Sequence, residues 1–196
     1  MNLTKEGSVV MTLNRACRRT RKAANAFIAD QRGLGAVEFA LLLPVMALLY
    51  LGSFEVAQGV AINRMVALTS STVTNLVSQY TTISASQDMP DILNASAQIL
   101  TPYSAAKATV IVSCITIDAK GKATVTWSKA LNGTAKAVGS TVTVPLALAT
   151  PNTVLIFGEA SYAYVPLIDF LNFGTMTLYS SGYMFPRSSP TITLTS

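Results

Sequence analysis

The sequence predicts an α+β fold, in which one long N-terminal helix crosses a membrane and continues outward, followed by a small antiparallel β-sheet domain. Three observations support this. An uncharged apolar run extends from Phe39 to Phe54, an amphipathic stretch follows it, and the chain after residue 107 holds short segments rich in Val, Thr, Ile and Tyr, which favour strands. With 196 residues, the chain has room for one domain and an anchor.

The composition argues against a cytosolic globular protein and against most enzymes. Charged residues make up 12% of the chain and hydrophobic residues 51%, whereas an ordinary soluble domain has about 25% charged residues. The mean hydropathy is +0.45. The sequence contains no histidine, and histidine is the commonest general base and metal ligand. We therefore expect no catalytic function, no cofactor and no metal site.

The positive charge belongs to the N-terminal segment. Residues 1–33 hold seven basic and two acidic side chains, which account for the whole net charge of +5. A basic flank beside an apolar run keeps its side of the membrane cytoplasmic. Nucleic-acid binding is the competing interpretation, but no aromatic residues are interleaved with these charges and no folded basic face accompanies them. The basic residues are Lys5, Arg15, Arg18, Arg19, Arg21, Lys22 and Arg32.

One membrane span is predicted from Leu34 to Ile62, because a helix needs roughly 20 residues to cross the hydrocarbon core. Glu38 and Glu55 are about 25 Å apart along such a helix, so each can lie near a different interface. Pro44, inside the run, is expected to remove one backbone hydrogen bond and kink the helix. A cleaved secretory signal is the alternative; its best cleavage site, residues 59–61, is weak.

Residues 32–39, RGLGAVEF, resemble the processing site of Flp-type IV prepilins. The continuation over residues 37–58 is more similar still to the TadE-like minor pilins, or pseudopilins, of tight-adherence systems. These carry an EFALxLP segment and a second Glu at the far end of the helix. Residues 160–187 are similar to the tyrosine- and proline-containing strand pair of that family. The matching helix positions are Glu38, Phe39, Ala40, Leu41, Leu43, Pro44 and Glu55.

The resemblance implies specific roles for the start of the helix. A prepilin peptidase would cut between Gly33 and Leu34, with Glu38 and Phe39 as recognition and assembly residues. Glu38 would then pair with the new N-terminal amine of a neighbouring subunit, because an uncompensated carboxylate in hydrocarbon costs at least about 2.5 kcal/mol. The alternative is that Glu38 lies in the cytoplasmic headgroup layer. For Glu55, an assembly role and a solvated interfacial carboxylate are equally favoured.

Three segments follow from this interpretation. Residues 1–33 are a basic cytoplasmic leader that is cleaved, residues 34–62 are the transmembrane helix, and residues 63–196 are an extracytoplasmic, pilin-like α+β domain in the periplasm. The expected partners are a prepilin peptidase, other pilins or inner-membrane pilus platform proteins, and the lipid bilayer, with no nucleic acid. An uncleaved bitopic inner-membrane protein whose exterior domain binds an envelope partner or ligand is the alternative. An exported enzyme released by signal peptidase is disfavoured.

The outer domain is expected to begin with a continuation of the helix. Met65, Leu68, Val73, Leu76 and Tyr80, with Ile83, form its apolar stripe. A turn at residues 87–91 precedes a second short helix over 92–100. Five strands are then predicted, at Ala108–Asp118, Lys122–Ser128, Ser140–Val144, Val154–Tyr164 and Thr175–Phe185.

The remaining reactive side chains point to structural roles. Cys17 would leave with the leader, so Cys114 would have no intramolecular disulfide partner and is expected in the core. Ser104 and Lys107 match the S-x-x-K of serine acyl enzymes, but neither companion motif is present. Asp88 and Asp91 suit a helix start. The tyrosines Tyr162, Tyr164 and Tyr179 are expected to form a half-exposed aromatic sheet face, with a partner surface as the less favoured alternative.

Overall fold

A computed structural model of the chain describes residues 33–166 and 174–196. The leader predicted over residues 1–33, apart from Gly33, and Cys17 within it lie outside the described residues. The described chain holds two α-helices, α1 (Leu34–Ser78) and α2 (Asp88–Ala97), and six strands. The strands are β1 (Thr82–Ser84), β2 (Ala108–Ile117), β3 (Ala123–Leu131), β4 (Thr153–Tyr164), β5 (Met176–Met184) and β6 (Thr193–Thr195).

The chain divides into two compact units, the first ending at Gly52 and the second beginning at Ser53. Every residue of the first unit from Gly35 to Tyr50 is exposed, although this stretch is strongly apolar. The helix Gly35–Ser78 is long and apolar enough to cross a membrane. A helix that exposes apolar side chains on every face is stable only in an apolar environment. Pro44 lies inside α1.

Four strands form one antiparallel sheet in the order β3-β2-β4-β5. The central pair, β2 and β4, is the longest, and Cys114 faces Ile156 across it. A register shift between Cys114 and Ile115 marks a bulge in the pairing of β2 with β3. The predicted long helix followed by an antiparallel sheet is thus confirmed, and so is the α+β fold class.

The predicted strand at Ser140–Val144 is wrong. Thr141 forms an isolated bridge with Thr124, and the Val142 N–H donates to the Ala123 carbonyl (3.1 Å), but the segment is not a strand of the sheet. Val142 and Val144 instead pack, with Leu148, against a buried cluster of residues from β2, β3 and β4. Pro145 follows directly and has no backbone N–H to donate to a ladder. The β-branched residues here serve as a cover for the sheet rather than as a strand within it.

A second, two-stranded sheet was not predicted from the sequence. β1 and β6 pair in parallel, with Ile83 beside Leu194. Each strand has three residues, too few for a periodic pattern to be recognised. Two further bonds hold the C-terminal segment: the Arg187 N–H donates to the Ser78 carbonyl (2.8 Å) at the end of α1, and the Trp127 indole donates to the Ile192 carbonyl (2.8 Å).

The apolar stripe predicted for the outer part of α1 is only partly correct. Val73 is fully buried, but Leu68 is 51% exposed, and Tyr80 lies beyond the end of the helix. The buried face includes small hydroxyl residues whose side chains bond to carbonyls of their own helix, as Thr69 does to Met65 (2.9 Å). Such bonds satisfy the hydroxyls without external partners. The residues buried along this face are Ile62, Val66, Thr69, Ser70, Val73, Thr74, Val77 and Ser78.

The small hydroxyl side chains on the buried face of α1 allow the helix to lie close to the sheet. Gly158 of β4 lies against the helix, where an added Cβ would come within 2.8 Å of the Ser70 carbonyl oxygen and would overlap the Thr74 hydroxyl. Larger apolar side chains at these helix positions would hold the two elements apart. The predicted packing of the helix on its own sheet is therefore correct, but small residues mediate it.

Candidate functional site

The residues predicted for processing lie at the start of α1. Gly33 is exposed and immediately precedes the helix, and a Cβ added to it would meet no atom of the described residues within 4 Å. Leu34 is the first residue of the helix. Glu38 and Phe39 follow in the next turn, and both side chains are exposed. Positions 34 and 38 are four residues apart on a helix and so lie on one face, about 6 Å apart along the axis.

Glu55, the second helix carboxylate, lies in a different environment. Its carboxylate accepts a 2.6 Å hydrogen bond from the hydroxyl of Tyr164, the last residue of β4. One turn further along α1, Gln58 accepts a hydrogen bond from the Tyr103 hydroxyl. Two adjacent polar side chains of the helix are thus each bonded to a tyrosine of the sheet domain.

These bonds line a cleft of about 180 Å³ within the second unit. Tyr103 packs edge-on against Tyr162, with ring centroids 6.4 Å apart. Lys107, which ends a 3₁₀ turn at Ala105–Lys107, also lines the cleft. The lining therefore combines a carboxylate, an ammonium group and three phenols.

The phenol of Tyr164 is a hydrogen-bond donor over a wide pH range. Burial and, after it, the hydrogen bond to Glu55 and the negative charge of that carboxylate raise the pKa of Tyr164 from 10.0 to about 12. Burial also raises the pKa of Tyr162. A phenol with a raised pKa stays neutral to a higher pH, so the Tyr164 hydroxyl can keep donating to Glu55 on the helix.

The other side chains named from the sequence have structural positions. Cys114 is buried, and burial raises the pKa of its thiol to about 12, which is the environment of an unreactive core cysteine. Asp88 accepts a 2.8 Å hydrogen bond from the backbone N–H of Ser84 at the start of α2. Within residues 33–166 and 174–196, no three His, Cys, Asp or Glu side chains are grouped in a way that could hold a metal ion.

The S-x-x-K match, which the sequence analysis did not favour, has no side-chain contact between its Ser and Lys among the described bonds, and the three tyrosines do not form one half-exposed face. Ser104 and Lys107 are both exposed, and their bond joins the Lys107 backbone N–H to the Ser104 carbonyl. Of the three tyrosines, Tyr162 is buried and Tyr164 contacts Glu55, while Tyr179 is 55% exposed and donates a 2.9 Å bond to Glu159.

Sequence reasoning did not identify Gln58 and Tyr103 as members of the site. A usable signal was present, since tyrosines concentrate at the edges of a membrane span. However, Tyr103 follows the end of the apolar run by almost 50 residues. Only the packing of the sheet domain against α1 brings this tyrosine to Gln58.

Comparison with known proteins bears on the helix. The family model described as TadE-like protein matches residues 33–78, a range that begins at Gly33 and ends with α1. No curated protein and no solved structure matches the chain. The match suggests a minor pilin associated with the tight-adherence pilus, and it implies association with pilus-assembly components in general. Over residues 33–78, a single apolar helix compatible with a single-pass membrane protein, the chain is similar to the TadE-like family.

Proposed function

We propose that this chain is a minor pilin or pseudopilin that takes part in assembling Flp-type, tight-adherence pili, and that its role is structural rather than catalytic. The observation that carries the proposal is that three boundaries fall at the same place in the sequence. The family match begins at Gly33, α1 begins at the next residue, and the basic leader ends at the same point. A peptidase cut there would separate leader from helix.

The chemistry of Gly33 supports cleavage at this bond. Glycine has no Cβ and permits close backbone approach, as an extended chain in a protease cleft requires. Gly33 is also exposed and has open space around it. Cleavage would create an α-amine on Leu34, which is cationic near pH 7.

Glu38 supplies the matching negative charge. The carboxylate is exposed on an apolar helix, and burial in hydrocarbon without a partner would cost at least about 2.5 kcal/mol. In the proposed assembly, the Leu34 amine of a neighbouring subunit pairs with Glu38 and sets the stagger between packed helices. Helix packing in the bilayer then adds van der Waals contact.

The charge pattern supports an orientation for the proposed inner-membrane protein. Seven basic residues precede the helix, and such flanks stay on the cytoplasmic side. The sheet domain would therefore be periplasmic, where it can contact other pilins or the inner-membrane platform proteins.

The first test is processing of the C-terminally tagged chain, expressed with and without a prepilin peptidase. We expect a peptidase-dependent loss of residues 1–33, with Leu34 as the new terminus and the product still in the membrane. Gly33→Val should block the cut, because the added side chain obstructs the protease cleft. Gly52→Val is the matched control, since Gly52 lies within α1, away from the proposed cut, and a Cβ there would also meet no described atom within 4 Å.

The other outcomes overturn the proposal in different ways. A chain that stays uncut in the membrane with an active peptidase is the bitopic anchor of the alternative interpretation. A soluble product with a new terminus near Asn63 identifies a secretory signal in place of a pilin helix.

A further inference from the structure

The outer edge of β5 carries unpaired backbone groups. β5 is the last strand of the four-stranded sheet and has β4 on one side only. The two strands pair from Met176 to Met184 without a shift in register. Along such a strand, every second residue directs its N–H and C=O away from the neighbour. Within residues 33–166 and 174–196, no strand or loop backbone bonds to that side of β5. The open edge is about 30 Å long.

The composition of β5 leaves this edge unprotected. Proteins commonly shield a sheet edge with a lysine, a proline, a bulge or a covering segment. β5, MTLYSSGYM, contains no charged residue and no proline. The opposite edge, β3, is shielded, since it contains Lys129 and residues 139–142 bond to backbone groups of Ala123 and Val125 at 2.7–3.1 Å. One edge of the sheet is thus covered and the other is open for pairing.

The side chains of β5 are directed back over the sheet on both faces. On the outer face, the Tyr179 hydroxyl donates to Glu159 of β4 (2.9 Å). On the face toward α1, Ser180 and Met184 contact hydroxyls of the helix at 3.4 and 3.3 Å. These contacts draw the side chains away from the edge, so the backbone of β5 remains accessible along it.

The surroundings of the edge are neutral. Glu159, to which Tyr179 is bonded, forms an ion pair with Lys136 (2.9 Å), and β5 itself carries no charge. A charged side chain brought into this contact would lose hydration without gaining an ion pair, which is costly. The edge therefore favours an uncharged partner.

The position of α1 limits the shape of that partner. Gly158 of β4 and Gly182 of β5 both lie beneath Thr74, so the helix covers the β4–β5 pair. A helix is about 10–12 Å wide and strands are about 4.8 Å apart, so α1 reaches past β5 toward the position of an added strand. A second copy of this chain would have to pack its own α1 against this one. A single extended segment adds no second layer.

We propose that β5 binds an extended, uncharged segment of another protein, which adds to the sheet as a fifth strand. In this mode of recognition, main-chain hydrogen bonds supply affinity and alternate side chains supply selectivity. Beyond Ser70 and Thr74, the next row of α1 on this side holds Ala67 and Ser71, which are small and exposed. These residues leave room for apolar side chains of the added strand.

The test measures binding of a defined peptide to the full-length chain in mild detergent, by fluorescence anisotropy. The peptide has nine alternating Thr and Val residues, blocked ends, a fluorophore and a solubilising polyethylene glycol tail. We expect saturable binding, with slower hydrogen exchange at alternate amides of β5 in the complex. A peptide with proline at two adjacent central positions should bind at least tenfold more weakly, because it loses N–H donors on both of its edges.

A substitution on β5 locates the binding site. Thr177→Lys, at an exposed position opposite Ala163, should weaken peptide binding roughly tenfold, because a lysine blocks strand addition at an edge. Thr126→Lys, at an exposed position of β3, is the matched control and should leave binding unchanged. Near-ultraviolet circular dichroism of Trp127 verifies that each variant is folded.

Absence of saturable binding, equal binding of the proline peptide, or equal effects of the two lysine substitutions would overturn the inference. Dimerisation of the chain that Thr177→Lys abolishes would overturn the assignment to another protein and identify a second copy as the occupant. These results are independent of processing. A cleaved chain that does not bind the peptide contradicts only this inference, and an uncut chain that binds it contradicts only the prepilin proposal.

Discussion

Gly158 of β4 lies directly under Thr74 of α1, at a separation that leaves no room for a Cβ. The Thr74 hydroxyl turns back to the Ser70 carbonyl at 2.5 Å, so it is satisfied within its own helix although buried. The closest approach of helix and sheet is thus built from a glycine and two small hydroxyl residues. From Ser53 onward, the long apolar helix α1 belongs to the second compact unit.

Gly158→Ala should destabilise this domain by about 1–3 kcal/mol, the usual cost of overpacking a close contact. The added methyl group would meet the Ser70 backbone oxygen, which cannot rotate away as a side chain could. Thermal or urea unfolding of the purified full-length chain measures the loss.

The matched control is Gly182→Ala, on the strand next to β4. Gly182 is paired directly with Gly158, but a Cβ there would lie 3.9 Å from the Thr74 hydroxyl, an ordinary contact distance. Equal effects of the two substitutions would contradict the close approach as the cause.

Tyr164→Phe should destabilise the second unit by about 1 kcal/mol, because it removes the hydrogen bond to the Glu55 carboxylate and leaves the ring in place. Tyr179→Phe, which removes a similar bond to Glu159 at an exposed position, should change the free energy of unfolding by less than about 0.5 kcal/mol. Urea unfolding of both variants makes the comparison. An equal or smaller loss at Tyr164 would contradict a stabilising role for the Glu55 contact.

The same bond predicts a pH dependence on the alkaline side. Because the pKa of Tyr164 is about 12 in the folded chain against 10.0 ordinarily, the folded state holds this proton more tightly than the unfolded state. Its contribution to stability is full below pH 10.0 and is lost as the pH rises to about 12. Unfolding measured across this range, for the wild type and Tyr164→Phe, should show the steeper decline in the wild type.

Cys114 should be inert in the folded chain. With its pKa raised by burial to about 12, the thiolate fraction at pH 8 is lower than that of an ordinary thiol by about a thousandfold, and the thiolate is the reacting form. In a Cys17→Ser chain, maleimide should label nothing until denaturant is added. Rapid labelling of the native chain would show that the core around Cys114 opens readily.

Substitutions of the two helix carboxylates, Glu38 and Glu55, should have different effects on pilus assembly. Glu38→Gln should abolish incorporation of the chain into pili, or pilus formation itself, while leaving the unfolding of the second unit unchanged, since Glu38 is exposed in the first unit. Glu55→Gln should lower the stability of the second unit first, because Glu55 is bonded to Tyr164. Piliation scored by microscopy, alongside unfolding, distinguishes the two. Normal piliation with Glu38→Gln would contradict the proposed subunit contact.

Much of the fold could be predicted from local patterns. The uncharged run and the basic leader predicted the span, and four of the five predicted strands occur in one antiparallel sheet. The prediction of a strand at Ser140–Val144 was wrong for a physical reason. Val142 and Val144 alternate with polar residues as in a strand, and this pattern is the same whether the segment pairs at a sheet edge or covers a sheet face. The β1–β6 pair joins residues about 110 positions apart, a distance that no local pattern covers.

By itself, the sequence determined a helix long and apolar enough to cross a membrane, the charge asymmetry before it, the Gly33–Glu38 spacing and the α+β class of the chain. These depend on composition and on spacing along a single helix, which the chain order sets directly. Tertiary structure alone decided that Thr74 and Ser70 are buried and that Gly158 leaves room for them. It also decided that Glu55 bonds to Tyr164 and Gln58 to Tyr103. Each of these contacts joins residues from different elements, so each exists only once the sheet has packed against the helix.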